Sequence, residues 1–209
     1  MAGLRGNFVS DIHDPNEQVT DWRMALQYLE DGNIRYLKNQ VITRETHHID
    51  REMLQKGQKP FAAIITCSDS RVAPEIYFDQ KLGDIFVIRN AGNIADTTVL
   101  GSIEYATKYL KVPLVVVVGH SRCGAVTGAL ISGTEYPENL NTIINTISPV
   151  VKNCESLDEA IHANIHHVVE TIQNNAIIKE LGTTVVGAYY NIESGEVIFL
   201  NWVKLLFSH

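Results

Sequence analysis

The sequence predicts an α/β fold: a mainly parallel β-sheet flanked by helices, with an antiparallel C-terminal edge strand. Three observations predict it. Four apolar runs rich in Val and Ile follow Pro60: "FAAIITC", "DIFVIRN", "PLVVVVGH" and "TTVVGAYY". Runs of this kind suit strands buried on both faces of a parallel sheet. Between them lie segments with apolar residues at helical spacing, and strand–helix alternation marks a parallel sheet. Finally, "ESG" interrupts "YYNIESGEVIFLNW" as a hairpin turn, so the last strand returns antiparallel.

Taken in order, residues 1–20 form a polar N-terminal arm and residues 21–209 a single α/β domain. The first helix runs from about Asp21 to Lys38, with Trp22, Ala25, Leu26, Leu29, Tyr36 and Leu37 near one face. A polar stretch, "NQVITRETHHIDREMLQKGQKP", leads to the first strand. After the second strand, Val99, Ile103, Ala106 and Leu110 share one helical face. Later, Ile161, Ile165, Val168 and Ile172 share another. The spacing of Ile143, Ile147 and Val151 continues to Cys154, which is therefore expected in the core.

Composition narrows the function. Of the 209 residues, 45% are hydrophobic and 20% charged, an ordinary globular balance. The net charge is -7 and no basic run stands out, so no nucleic-acid partner is expected. The apolar runs are much shorter than a membrane span, so no membrane partner is expected either. No secretory signal is visible, and three cysteines make an odd number for a disulfide framework. The expectation is a cytoplasmic enzyme with cysteines free for metal binding or catalysis.

Strand ends place the chemistry. Cys67 closes the first core strand and His120 the third, and sites in open α/β sheets form at the carboxyl ends of strands. His120 and Cys123 are spaced H-x-x-C, and "HSRCGA" opens a helix whose N-terminus favours a thiolate. Two thiolates and one imidazole suit Zn2+, one per chain. Three protein ligands leave the fourth tetrahedral position for water or substrate. The plain alternative is three unrelated core residues. In "TCSDSR", Asp69 follows Cys67 by two residues and can reach the metal or its water. Arg71 can hold that carboxylate in a bidentate pair and keep it off the metal. The plain alternative here is a surface salt bridge.

"CSDSR" and "HSRCG" together resemble the two signature motifs of the β-class carbonic anhydrases, in the same order and at a familiar separation, over about Ala25 to Trp202. The resemblance implies a zinc enzyme that interconverts carbon dioxide and bicarbonate. It implies Cys67, His120 and Cys123 as metal ligands and Asp69 with Arg71 as the catalytic dyad. For substrate binding it implies the Gly124 backbone N–H, Phe86, Tyr105 and Ala91, with Gln58 reaching the site across a dimer interface. A homodimer or homotetramer is therefore implied. A regulated subset of the family has tryptophan three residues before the first cysteine. Here that residue is Ile64, which implies the unregulated subset.

Two rivals share these motifs. One is a carbonyl sulfide or carbon disulfide hydrolase on the same scaffold. The other is a catalytically silent zinc protein, with Asp69 closing the metal. Other features read as bland. His162 and His166 are i, i+4 but lack the glutamate of H-E-x-x-H, so they are expected on a solvated helix face. His47 and His48 have no partner signal. The glycines of "GLRGNF" and "GAVTGALISG" lack phosphate-loop spacing.

Overall fold

The computed structural model describes residues 13–14, 17–42, 54–131 and 133–200. Most of the N-terminal arm, together with His47, His48 and Trp202, lies outside them. The elements are α1 (Trp22–Leu37), β1 (Ala62–Cys67), α2 (Pro74–Tyr77), β2 (Ile85–Asn90), a 3-10 turn (Ala91–Asn93), α3 (Thr97–Lys108), β3 (Leu114–His120), α4 (Gly124–Leu130), α5 (Glu138–Val151), α6 (Leu157–Gln173), α7 (Ala176–Leu181), β4 (Thr184–Tyr190) and β5 (Val197–Leu200).

Helix starts follow local chemistry. Asp21 caps α1 by accepting from Arg23 N at 2.9 Å, and Asp96 caps α3 by accepting from Val99 N at 2.9 Å. Ser156 caps α6 through Glu159 N at 3.1 Å, while the Glu159 carboxylate reaches back to Glu155 N at 2.8 Å.

The sheet order is β2-β1-β3-β4-β5. All neighbours are parallel except β4 and β5, as expected. Asn191 N to Glu196 O at 2.9 Å closes the turn between those two strands. Strand side chains alternate between two apolar layers. Ala63, Ile65, Cys67, Val115 and Val117 face α3, α5 and α6. Ala62, Ile64, Leu114, Val116 and Val118 face α1 and α2. From β1 the chain passes to β2 on one side, then crosses through α3 to β3 on the other side of β1. The order reverses there, at the carboxyl ends of β1 and β3.

Two expectations need correction. "DIFVIRN" is not buried on both faces: it is the edge strand β2, mostly half-buried, with Arg89 exposed. An apolar run has the same texture at an edge as in a sheet's centre, so periodicity alone does not separate them. Cys154 is not a core continuation of α5, which ends at Val151. It lies past a turn, half-buried against the core. At the far end of the chain, His13 is buried and Nδ1 of its ring is 2.8 Å from Asp84 Oδ1, so this part of the arm lies against its own chain.

Candidate metal centre

Two fully buried strands deliver the first two side chains. Cys67 ends β1 and His120 ends β3, side by side at the reversal of strand order. The loop after β3 is pinned: Ser121 N donates to Tyr190 O at 3.0 Å, and Ser121 Oγ accepts from Ile192 N at 2.9 Å. Arg122 then takes a left-handed conformation, φ 57°, which turns the chain back on itself. Cys123 follows as the N-cap of α4. The ligand atoms of Cys67, His120 and Cys123 consequently lie within 4.8 Å of one another, and all three residues are buried.

The donor set fits a zinc ion. His120 is fully buried, and its Nδ1 is 2.9 Å from Ser121 O. A carbonyl only accepts, so Nδ1 carries the proton and Nε2 presents a lone pair. That Nε2 has no hydrogen-bond partner, which a buried ring nitrogen needs. The two sulfurs meet the same requirement. A hydrogen bond from the Cys123 thiol, joined by the Gly92 and Asp69 N–H groups, outweighs burial and pulls Cys67 below its ordinary value. The Cys67 sulfur and burial in turn raise Cys123. Adjacent cysteine sulfurs of this kind take up a divalent cation with release of their protons.

Asp69 and Arg71 form a fork. Arg71 Nε donates to Asp69 Oδ1 at 2.9 Å and Nη2 to Oδ2 at 2.6 Å. The Arg71 backbone N–H adds a third bond to Oδ1 at 3.0 Å. These bonds hold the Asp69 carboxyl well below the usual carboxylate range. Sequence reasoning missed a second arginine. Arg89 donates through Nε to Cys67 O at 3.1 Å and through Nη2 to Asp69 O at 2.8 Å. It fixes the loop that carries ligand and dyad together. Nothing local to "VIRN" signals that role, because its partners are 20 and 22 residues away.

The other expected site residues divide into two groups. Ala91 and Gly124 lie at the centre, Ala91 directly after the β2 residue paired with Cys67 and Gly124 directly after Cys123. A side chain at Gly124 would meet nothing within 4 Å, so there is open space beside that backbone. Phe86 and Tyr105 pair with each other instead, 6.1 Å between ring centroids. Phe86 is in register with Ala63, four residues before Asn90, or about 13 Å down the strand from the metal cluster. Tyr105 is 47% exposed and Gln58 is also exposed. His162 and His166 are half-buried on α6: His162 stacks on Tyr189 at 4.9 Å, and His166 lies 3.5 Å from Glu170.

The comparisons agree with this geometry. A family model described as carbonic anhydrase matches residues 62–197. The chain is 39% identical to a carbonic anhydrase of Mycolicibacterium smegmatis over 186 residues, which is 83% of this chain and 90% of that protein. It is 38% identical to carbonic anhydrase 2 of Mycobacterium tuberculosis over 189 residues, again 83% and 90%. Among solved structures it resembles a β-carbonic anhydrase from Sordaria macrospora described as tetrameric, with TM-score 0.67, 28% identity and coverage of 84% and 96%. It also resembles the Coccomyxa β-carbonic anhydrase bound to acetazolamide, with TM-score 0.68, 25% identity and 87% coverage of each chain.

Proposed function

We propose, because the chain belongs to the β-carbonic anhydrase family, that Cys67, His120 and Cys123 hold one catalytic zinc and that the enzyme converts carbon dioxide and water to bicarbonate and a proton, reversibly. The observation that carries this reading is the bare Nε2 of His120 facing two sulfurs, with Asp69 held nearby by Arg71. When bound, zinc lowers the pKa of water at its open position toward neutrality and so supplies the nucleophile.

The chain's own groups do the rest. The Asp69 carboxylate accepts the nucleophile's O–H, which turns a lone pair toward the carbon of carbon dioxide. Arg71 keeps that carboxylate ionised and occupied in the fork. The Gly124 N–H donates to a substrate oxygen, where negative charge grows as the new C–O bond forms. Ala91 leaves an apolar wall for a small apolar substrate. The proton released goes to solvent. A silent zinc protein has no need of an arginine fork restraining Asp69.

Phe86, Tyr105 and Gln58 serve a neighbouring subunit's site in this reading. Phe86 lies too far along β2 to line its own site, Tyr105 of α3 packs beside it, and Tyr105 and Gln58 are exposed. A homodimer or homotetramer follows, in line with the tetrameric Sordaria proteins. All three cysteines are free, which suits a reducing cytoplasm. No helix among the described residues is long and apolar enough to cross a membrane. Ile64 is fully buried against the α1 side of the sheet, filling the position where the regulated subset has tryptophan. Activity unregulated by bicarbonate is the consequence.

A stopped-flow assay of carbon dioxide hydration by the zinc-loaded protein, with carbonyl sulfide as comparator, tests the reading. Rapid hydration with little carbonyl sulfide turnover is expected. No hydration at full zinc loading, or faster turnover of carbonyl sulfide, would overturn it.

A further inference from the structure

Helix α6 turns an apolar stripe toward the sheet, made of Ile161, Ile165, Val168 and Ile172. Within that stripe sits Asn164, only 2% exposed. A buried amide is costly unless hydrogen-bonded, so its partner matters. The partner is a backbone carbonyl 72 residues away: Asn164 Nδ2 donates to Gly92 O at 2.9 Å.

Gly92 is the residue whose N–H points at Cys67 Sγ, at 3.4 Å. Its backbone is left-handed, φ 75° and ψ 16°. A Cβ there would lie 2.6 Å from Ile147 Cδ1 and 3.0 Å from Ala125 Cβ, so the position requires glycine. Glycine is also the residue with the most backbone freedom, and nothing intrinsic holds it in this conformation. The turn's two ends are tied: Asn90 Nδ2 donates to Ile94 O and Ile94 N to Asn90 Oδ1, both at 2.9 Å. The middle is tied by Asn164.

We infer that Asn164 is a positioning residue for the metal ligand Cys67: by holding the Gly92 carbonyl, it keeps the Gly92 N–H aimed at the sulfur. An N–H bond of this kind stabilises the thiolate and fixes the direction of its remaining lone pairs. Asn164 thereby connects α6 to the ligand set through one glycine. The inference rests on the zinc reading above.

The test compares wild type with Asn164→Leu, which keeps the bulk without a donor, and Asn164→Ala, which cannot overpack. Ile172→Val, a shortened core side chain two turns along the same helix, is the control for general loosening. Zinc affinity is read by competition with a chromophoric chelator. Sulfur environment is read from the thiolate-to-cobalt charge-transfer band of the cobalt-substituted protein. Both Asn164 variants should lose about 10–100-fold in metal affinity, the scale for a ligand's outer partner. Their charge-transfer band should move to lower energy, as a thiolate without its N–H donor gives up electrons more readily. Ile172→Val should change neither.

Wild-type affinity and an unmoved band in both Asn164 variants would overturn the inference while leaving the zinc reading intact. A wild-type chain with no sulfur-to-cobalt band would overturn the zinc reading, and this inference with it. If neither variant folds, cadmium-113 substitution of wild type decides the matter. Scalar coupling between the metal and the Gly92 amide proton is expected, and its absence overturns the inference.

Discussion

Arg71 holds both carboxylate oxygens of Asp69, Nε to Oδ1 at 2.9 Å and Nη2 to Oδ2 at 2.6 Å, two residues beyond Cys67. A lone carboxylate this close to a dication would bind it. The fork gives the carboxylate a competing partner with matched geometry. Arg71→Ala should therefore retain zinc, since all three ligands remain, but lose at least about 100-fold in activity, the scale for removing a preorganised group at a reacting centre. A crystal structure of the variant should show Asp69 on the metal. Near-normal turnover would reduce Arg71 to a surface partner. Arg71→Lys keeps charge but not the fork, and should fall between the two.

Removal of a ligand should separate the cysteines. Cys67→Ala, His120→Ala and Cys123→Ala are each expected to lose zinc and activity together, while Cys154→Ser keeps both. Zinc per chain by atomic emission is the measurement. Full occupancy in Cys123→Ala would take that residue out of the set.

Much of this site was legible because its residues fall at the ends of strands. Continuous apolar runs locate Cys67 and His120 at strand termini, and parallel-sheet rules bring such termini together. The Asp69–Arg71 pair is local, so spacing alone suggests it. What stayed hidden depends on long-range packing. β2 reads like a central strand because burial on one face and on two faces produces the same run of Phe, Val and Ile. Arg89 reaches across to carbonyls at the end of neighbouring β1 and in its following loop, which no motif names. Asn164 did leave a signal, a polar residue in the apolar stripe of α6, but its partner is visible only in three dimensions.

Assembly should be coupled to catalysis. Gel filtration at assay concentration is expected to show a dimer or larger. Gln58→Ala should lower kcat/KM with zinc content unchanged, if exposed Gln58 reaches a neighbouring subunit's site as proposed. A fully active monomer would contradict a shared site.

Glu30 on α1 provides a test of stability against pH. Burial, then the charge of Asp31, raises its pKa above the ordinary 4.5. The folded state therefore holds this proton more tightly than the unfolded chain does. The resulting stability is present in acid and is lost as pH rises through the folded value. Glu30→Gln removes the loss. It should leave stability unchanged near pH 3 and raise it at pH 7, by about 0.5 kcal/mol or less, because solvent screens a half-buried charge. Urea denaturation midpoints at the two pH values check the sign. A variant less stable at pH 7 would show that the Glu30 carboxylate makes a favourable contact.

The ligand set itself is open to one direct measurement, zinc K-edge X-ray absorption on the loaded wild-type protein. The account predicts two sulfur scatterers at about 2.3 Å, with lighter nitrogen and oxygen scatterers at about 2.0–2.1 Å, in a four-coordinate shell. One sulfur, or a shell of nitrogen and oxygen alone, would contradict the joining of Cys67 and Cys123 with His120 at a single metal.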